Sequence, residues 1–325
     1  MEVGQMKENI WLDGVMGVVI GDALGCPVQF VNREELARGP VEDMEGYGTY
    51  NMPEGTWTDD SSMTLALLVS IREKGGIDLA DIMYRFVLWL TKGEYTPFGK
   101  AFDIGNGTMA AIHRYLKNPD ITKCGGTTER DNGNGSLMRI LPACLYCYEM
   151  SEKGMTDDEA LKLIHQVAGL THNHLRGQIA CGLYYFMICA ILDEAGGQID
   201  RLKKGLDRGF CFYEKDPENE KELAYYKRLR ELESFSQVPE NDIRSTGYVV
   251  DTIEAAVWSF ITTNDFKSCE LKAVNLGDDA DTVGAIAGGL AGLYYGYDTF
   301  PEDWLAVIQR RQWVEDLCQI KKSTA

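Results

Sequence analysis

The segment Gly55-Thr56-Trp57-Thr58-Asp59-Asp60-Ser61-Ser62-Met63 sets a hydroxyl and two carboxylates, Thr58, Asp59 and Asp60, directly before an apolar helical run. A second segment, Gly277-Asp278-Asp279-Ala280-Asp281-Thr282, repeats the arrangement ahead of a glycine-rich run. Together Thr58, Asp59, Asp60, Asp279, Asp281 and Thr282 offer carboxylate and hydroxyl oxygens, with no imidazole or thiolate. That donor set suits a hard cation, Mg²⁺ or Mn²⁺, and not zinc. Two divalent ions would neutralise a buried carboxylate cluster that otherwise repels itself, and could clamp an attacking water and a substrate diol. Spacing alone equally allows two unrelated helix starts. Thr58 can cap a helix whose face repeats as Met63, Leu67, Leu68 and Ile71, and acids in a first turn complement the helix dipole.

Two Gly-Asn turns precede helical patterns, Asp103-Ile104-Gly105-Asn106-Gly107-Thr108 and Asp131-Asn132-Gly133-Asn134-Gly135-Ser136. Such turns can aim successive N–H groups at a phosphate, or be generic loops; neither matches a nucleotide-binding fingerprint. Thr171-His172-Asn173-His174 with Cys144-x-x-Cys147 does not read as zinc, because the cysteines sit in an apolar helical run. The histidines read as helix caps or as the lining of a polar pocket. No Gly-x-Ser-x-Gly elbow supports a serine hydrolase. Tyr248, Trp57 and Phe98 could stack on a base or ribose, or belong to the core.

The elements that must carry these groups are helices. Leu79, Ile82, Met83, Phe86 and Leu90 form one face at helical period, and Val250, Ile253, Val257 and Phe260 another. Alternating strand patterns are scarce, so the fold class is mostly or all α. In GVMGVVIGDALG the glycines Gly14, Gly17, Gly21 and Gly25 fall near one face, and in VGAIAGGLAGLYYG they recur every fourth residue from Gly284 to Gly296. Glycine costs about 1 kcal/mol per helical position relative to alanine, so these runs imply close backbone approach in central helices. The segment from about 201 to 244, dense in both charge signs, reads as solvated helix and loops on the surface.

The chain has 325 residues, 45% of them hydrophobic, and can bury a large core as a single domain spanning 1–325. A net charge of -18 opposes binding to a nucleic-acid backbone or an anionic membrane, so an anionic ligand must be held by metal ions or backbone amides. Nine cysteines without framework spacing and an N-terminus without a leader pattern imply reduced thiols in a cytoplasm. No run offers the roughly 18 uncharged apolar residues of a membrane span, and Val283 to Tyr295 reads as a buried core helix.

The motifs GDALG (Gly21 to Gly25), TDD (Thr58 to Asp60), DIGN (Asp103 to Asn106), GNGSLMR (Gly133 to Arg139), THNH (Thr171 to His174) and GDDADTVGAIAGG (Gly277 to Gly289) occur in this order. The chain thereby resembles ADP-ribosylglycohydrolases, the dinitrogenase reductase-activating branch in particular, from about residue 11 to 310. The resemblance implies a compact orthogonal helical bundle with a central two-metal cleft. It also implies a hydrolase that cleaves the bond between C1 of ADP-ribose and a protein side chain, releasing ADP-ribose. By position it makes Thr58, Asp59, Asp60, Asp279, Asp281 and Thr282 ligands of two Mg²⁺ or Mn²⁺ ions, with Asp278 outside the pattern. It places Asp103, with Asp59 and Asp60, at the chemistry. Gly105, Asn106, Asn132, Gly133, Asn134 and Ser136 would cradle diphosphate and ribose, His172 would border them and Tyr248 would stack on adenine. One departure is Gln29, where many relatives carry glutamate. Arginine is the expected linkage; serine, nucleobase or small-molecule linkages, or a non-catalytic ADP-ribose binder or structural family member, are the alternatives.

Overall fold

The computed structural model describes residues 10–319. The reading of the N-terminal segment as leader-free therefore falls largely outside the described residues. Helices of eight residues or more are α1 (Ile10–Gly25), α2 (Asp59–Lys74), α3 (Leu79–Lys92), α4 (Asn106–Lys117), α5 (Leu141–Ser151) and α6 (Asp157–Gly169). They continue as α7 (Leu175–Asp193), α8 (Gln198–Tyr213), α9 (Val249–Ile261), α10 (Phe266–Val274), α11 (Ala280–Tyr295) and α12 (Arg311–Cys318). Among the described residues there is no β-strand, and two isolated bridges, Gly126 with His172 and Gly133 with Tyr248, tie loops together. The all-α expectation holds.

Glycine decides the centre. An added Cβ at Gly17 would lie 2.1 Å from the Gly288 carbonyl oxygen, and one at Gly21 would lie 2.2 Å from that of Gly284. Only hydrogen fits at these crossings, so α1 and α11 run antiparallel with their backbones touching. The pairing continues to Gly25 against Asp281, which brings the end of α1 beside the start of α11. The glycines thus set the position of an acidic helix start.

The outer helices obey ordinary amphipathic logic. In α3, Ile82, Met83, Phe86 and Trp89 are fully buried, each worth about 1.5–3 kcal/mol over exposure. Asp78 caps its start through Ala80 and Asp81 N–H, and Gly93 at φ 68 ends it. In α9 the predicted face of Val250, Ile253, Val257 and Phe260 is buried as expected. Helix α7 is buried almost all round; it and the helical stretch Ile10–Val28, which begins with α1, are long and apolar enough to cross a membrane by length and composition, and 89% of each apolar window is buried inside the protein.

The 201–244 segment differs from its expectation. Most of its charges face solvent, but Glu222 is buried, and so are Leu202, Leu206, Phe210, Tyr213, Tyr226, Leu229, Leu232 and Phe235. In α8 these apolar residues fall at helical spacing between charged ones, so a core-facing stripe hides inside a charge-dense sequence.

Candidate active site

The start of α2 is held from outside. Asp22, fully buried in α1, accepts the Thr58 N–H at 2.9 Å, the Ser61 N–H at 2.9 Å and the Ser61 hydroxyl at 2.5 Å. First-turn N–H groups lack helical partners, and here a carboxylate from another helix satisfies them. The Thr58 hydroxyl, only weakly engaged by Asp60 N–H at 3.5 Å, faces α11 instead. Burial raises the Asp22 pKa to about 7 against the pull of those hydrogen bonds.

The two acidic segments converge there. Thr58 Oγ1 lies 3.3 Å from Asp281 Oδ2 and 3.4 Å from Asp60 Oδ2, and Thr282 Oγ1 lies 3.4 Å from the same Asp60 oxygen. Asp279 completes the wall, accepting Asn134 Nδ2–H at 2.6 Å and Gln29 Nε2–H at 3.3 Å. All six residues are buried. Desolvation, then mutual repulsion, pushes Asp59, Asp60 and Asp281 well above the usual carboxylate range; Asp279 is also raised, tempered by Asn134 and Gln29. The Gly105 N–H pulls Asp59 back down.

Asp103 stands at φ 52, a strained conformation for a residue with a side chain, beside this cluster. Tyr50 Oη donates to its Oδ1 at 2.5 Å, while Oδ2 has no partner. The turn after it opens α4 at Gly105 without a side-chain cap, leaving first-turn N–H groups available to an anion.

His172 is fixed by a relay. Arg139, buried and lowered to about 10 by desolvation, donates to Thr171 Oγ1 at 2.8 Å, and Thr171 Oγ1 is 2.7 Å from His172 Nδ1. A guanidinium only donates, so the threonine hydroxyl accepts from it and keeps its own proton to offer to Nδ1. Desolvation, then Arg139, pushes His172 down to about 3, so the ring is neutral, and an Nδ1 that accepts from Thr171 leaves the ring proton on Nε2. That nitrogen faces Gly107, Gly133 and Gly135, where added Cβ atoms would lie 2.7, 3.5 and 3.3 Å away.

These groups line one cleft of about 720 Å³, within the range of small-molecule sites. Asp59, Asp60, Asp103, Gly105, Asn106, Gly133, Asn134, His172, Asp279 and Thr282 stand on its wall. Thr58 and Asp281 are not on that wall; Thr58 contacts Asp60, and Asp281 contacts Thr58. Asn132, Ser136 and Tyr248 do not line it. Asn132 donates to Glu129 O at 3.2 Å, Ser136 Oγ accepts from Cys181 at 3.7 Å, and the Tyr248 hydroxyl accepts from Arg176 at 3.1 Å. Trp57 is core and Phe98 is half exposed away from the cleft. His174 caps α7 through Arg176 N–H, and all nine cysteines are free, with only Cys211 exposed.

The model of one protein family, ADP-ribosylglycohydrolase, matches residues 7–324. The chain belongs to the ADP-ribosylglycohydrolase family. It is 33% identical over 302 residues to ADP-ribosyl-[dinitrogen reductase] glycohydrolase of Rhodospirillum rubrum, covering 92% of this chain and 90% of that one. It is 30% identical over 305 residues to ADP-ribosylarginine hydrolase Tri1 of Serratia proteamaculans (strain 568), covering 94% and 76%. A solved ADP-ribosylglycohydrolase-related protein complex superposes with a TM-score of 0.76 at 31% identity, over 97% of each chain.

Among the described residues of this glycohydrolase, Glu129, His174 and Glu222 form a further group with ligand-like spacing. Arg176 already pairs with Glu222 at 2.8 Å and Glu129 at 2.9 Å, and Lys221 with Glu129 at 3.1 Å. Cations of the chain itself therefore neutralise that triad, whereas none pairs with the aspartates of the cleft among the described residues. Motif reading left Asp22 unassigned, although it stands inside GDALG; its carboxylate acts on a helix far along the chain.

Proposed function

We propose that this glycohydrolase uses divalent metal to release ADP-ribose from a modified protein, with arginine as the linked side chain. The observation that carries the reading is the meeting of Thr58 and Asp60 with Asp281 and Thr282 at 3.3–3.4 Å. The residues fit cations. Their oxygens stand farther apart than the 2.5–2.7 Å of a charge-assisted O–H···O⁻ bond, Asp60 Oδ1 is buried without a partner, and the raised carboxylates lack a compensating positive group. Mg²⁺ or Mn²⁺, two ions held by Thr58, Asp59, Asp60, Asp279, Asp281 and Thr282, would neutralise these acids and stabilise charge as the glycosidic bond breaks.

The chain's own residues do the rest. The uncapped turn at Gly105, the glycines Gly133 and Gly135, and the His172 Nε2–H offer donors to the diphosphate. Tyr50 occupies one oxygen of Asp103, leaving Oδ2 to accept a proton from a water that attacks C1 of the ribose. The C1–N bond then breaks, its electron pair leaves with the guanidine, and the proton held by Asp103 passes to that nitrogen, which restores the carboxylate. The relative named ADP-ribosylarginine hydrolase supports the arginine linkage, and the one named ADP-ribosyl-[dinitrogen reductase] glycohydrolase supports a modified protein as substrate. Asp59→Ala tests the assignment: ADP-ribose release is lost while circular dichroism stays helical. A variant that retains turnover would remove Asp59 from the site.

A further inference from the structure

Two exposed side chains on the cleft wall take no part in the scheme above. Phe30 is 66% exposed at φ 65, and Asp278, also exposed, stands at φ 55. Both line the cleft beside Asp279. Left-handed backbone is unfavourable for a side chain as bulky as phenylalanine, and a free aromatic face in water gains nothing from burial. Something other than core packing has to account for the arrangement.

The backbone holds both residues rigidly. The Phe30 N–H donates to the Asp278 carbonyl at 2.6 Å, and the Asp278 N–H donates to the Val31 carbonyl at 2.9 Å. Gly277, at φ 74, permits this approach, since a Cβ there would lie 2.7 Å from the Val31 carbonyl oxygen and 2.9 Å from the Arg33 nitrogen. Arg33 braces the pair from behind, donating to the carbonyls of Leu276 at 3.0 Å, Ile243 at 2.6 Å and Glu240. Gln29, with its Nε2–H on Asp279, ties the same loop to the acidic wall.

An aromatic ring and a carboxylate carried by a pinned backbone on one wall are the elements that recognise a planar delocalised cation. The ring attracts the positive plane, and the carboxylate accepts its N–H groups. We propose that Phe30 and Asp278 form the leaving-group subsite, receiving the guanidinium of the arginine from which ADP-ribose is cleaved. This rests on the arginine reading and adds the residues that would select that linkage. A serine hydroxyl carries neither the plane nor the charge and gains little from either group.

The test compares wild type with Phe30→Ala, Phe30→Asn, Phe30→Tyr and Asp278→Asn, on an arginine-linked ADP-ribosyl peptide, a serine-linked one and free ADP-ribose. Asparagine tolerates left-handed backbone, so Phe30→Asn and Asp278→Asn keep the loop. Phe30→Ala, Phe30→Asn and Asp278→Asn should raise KM for the arginine-linked peptide about tenfold, the scale of one cation–π contact or charged hydrogen bond. Phe30→Tyr should behave as wild type, and ADP-ribose binding should be unchanged in all. Unaltered kinetics on the arginine linkage, or equal losses in ADP-ribose binding, would overturn the subsite while leaving the arginine reading intact. Wild-type enzyme that cleaves the serine linkage and spares arginine would overturn both.

Discussion

Thr58 and Asp281 stand 223 positions apart in the chain, and the Thr58 hydroxyl lies 3.3 Å from Asp281 Oδ2. That contact makes two helix starts into one site. It exists because α1 and α11 touch at their glycines, which places Asp281 against Gly25, and because Asp22 on α1 anchors the start of α2.

A divalent ion at about 100 times its Kd should stabilise the fold by about 2.7 kcal/mol, seen as a rise of several degrees in Tm. Asp281→Asn should lose most of that rise. Its metal-free Tm should match or exceed wild type, since one of several mutually repelling buried carboxylates is gone. Thermal melts with and without Mn²⁺ decide the matter; a variant with the full wild-type rise would remove Asp281 from the ligand set.

Asp22→Ala should cost about 2–5 kcal/mol, because it strands buried donors on Thr58 and Ser61. Urea unfolding at constant slope reads the loss directly. A cost under about 1 kcal/mol would show that Thr58 alone caps α2.

Glu270 makes a pH prediction at a distance from the cleft. It is fully buried in α10, beside Gly21 and Gly288, with neither oxygen partnered, and desolvation holds its pKa well above 4.5. A carboxyl raised in the folded state stabilises below its unfolded pKa, and that contribution is lost as pH rises through the folded value. Glu270→Gln should therefore be more stable than wild type at pH 8, by about 1–3 kcal/mol, with the difference shrinking toward pH 4. Denaturation curves across that range would show a pH-independent difference if a partner held the carboxylate ionised.

Burial, and then the Arg139 charge, keep His172 neutral, so its ring should show no titration by NMR between pH 5 and 8. Thr171→Val removes the donor to Nδ1 and should weaken ADP-ribose binding about fivefold, the value of one hydrogen bond. Unchanged affinity would mean that the tautomer is set elsewhere.

Much of this was legible in residue types. Glycine every fourth residue announced the α1–α11 crossing, and oxygen-only donors at two helix starts announced the acidic groups that meet in the cleft, because both follow from local composition. Asp22 was not legible as a site residue, because its carboxylate completes a helix other than its own. Phe30 takes its backbone conformation from pairing with Asp278, a contact no local pattern encodes. Tyr248 offered an aromatic ring in the sequence, but the fold gives its hydroxyl to Arg176 and its flanking backbone to Asn132 and Asn134. In the 201–244 segment, charge density masked an apolar stripe that only a helical projection separates.

The most direct test is release of free ADP-ribose from an arginine-ADP-ribosylated protein, with Mg²⁺ or Mn²⁺ present and again after chelation. Metal-dependent release that the chelator abolishes and added metal restores is the predicted result. Release that persists under chelation would contradict the metal assignment of the aspartate cluster, and no release with either ion would contradict the arginine linkage.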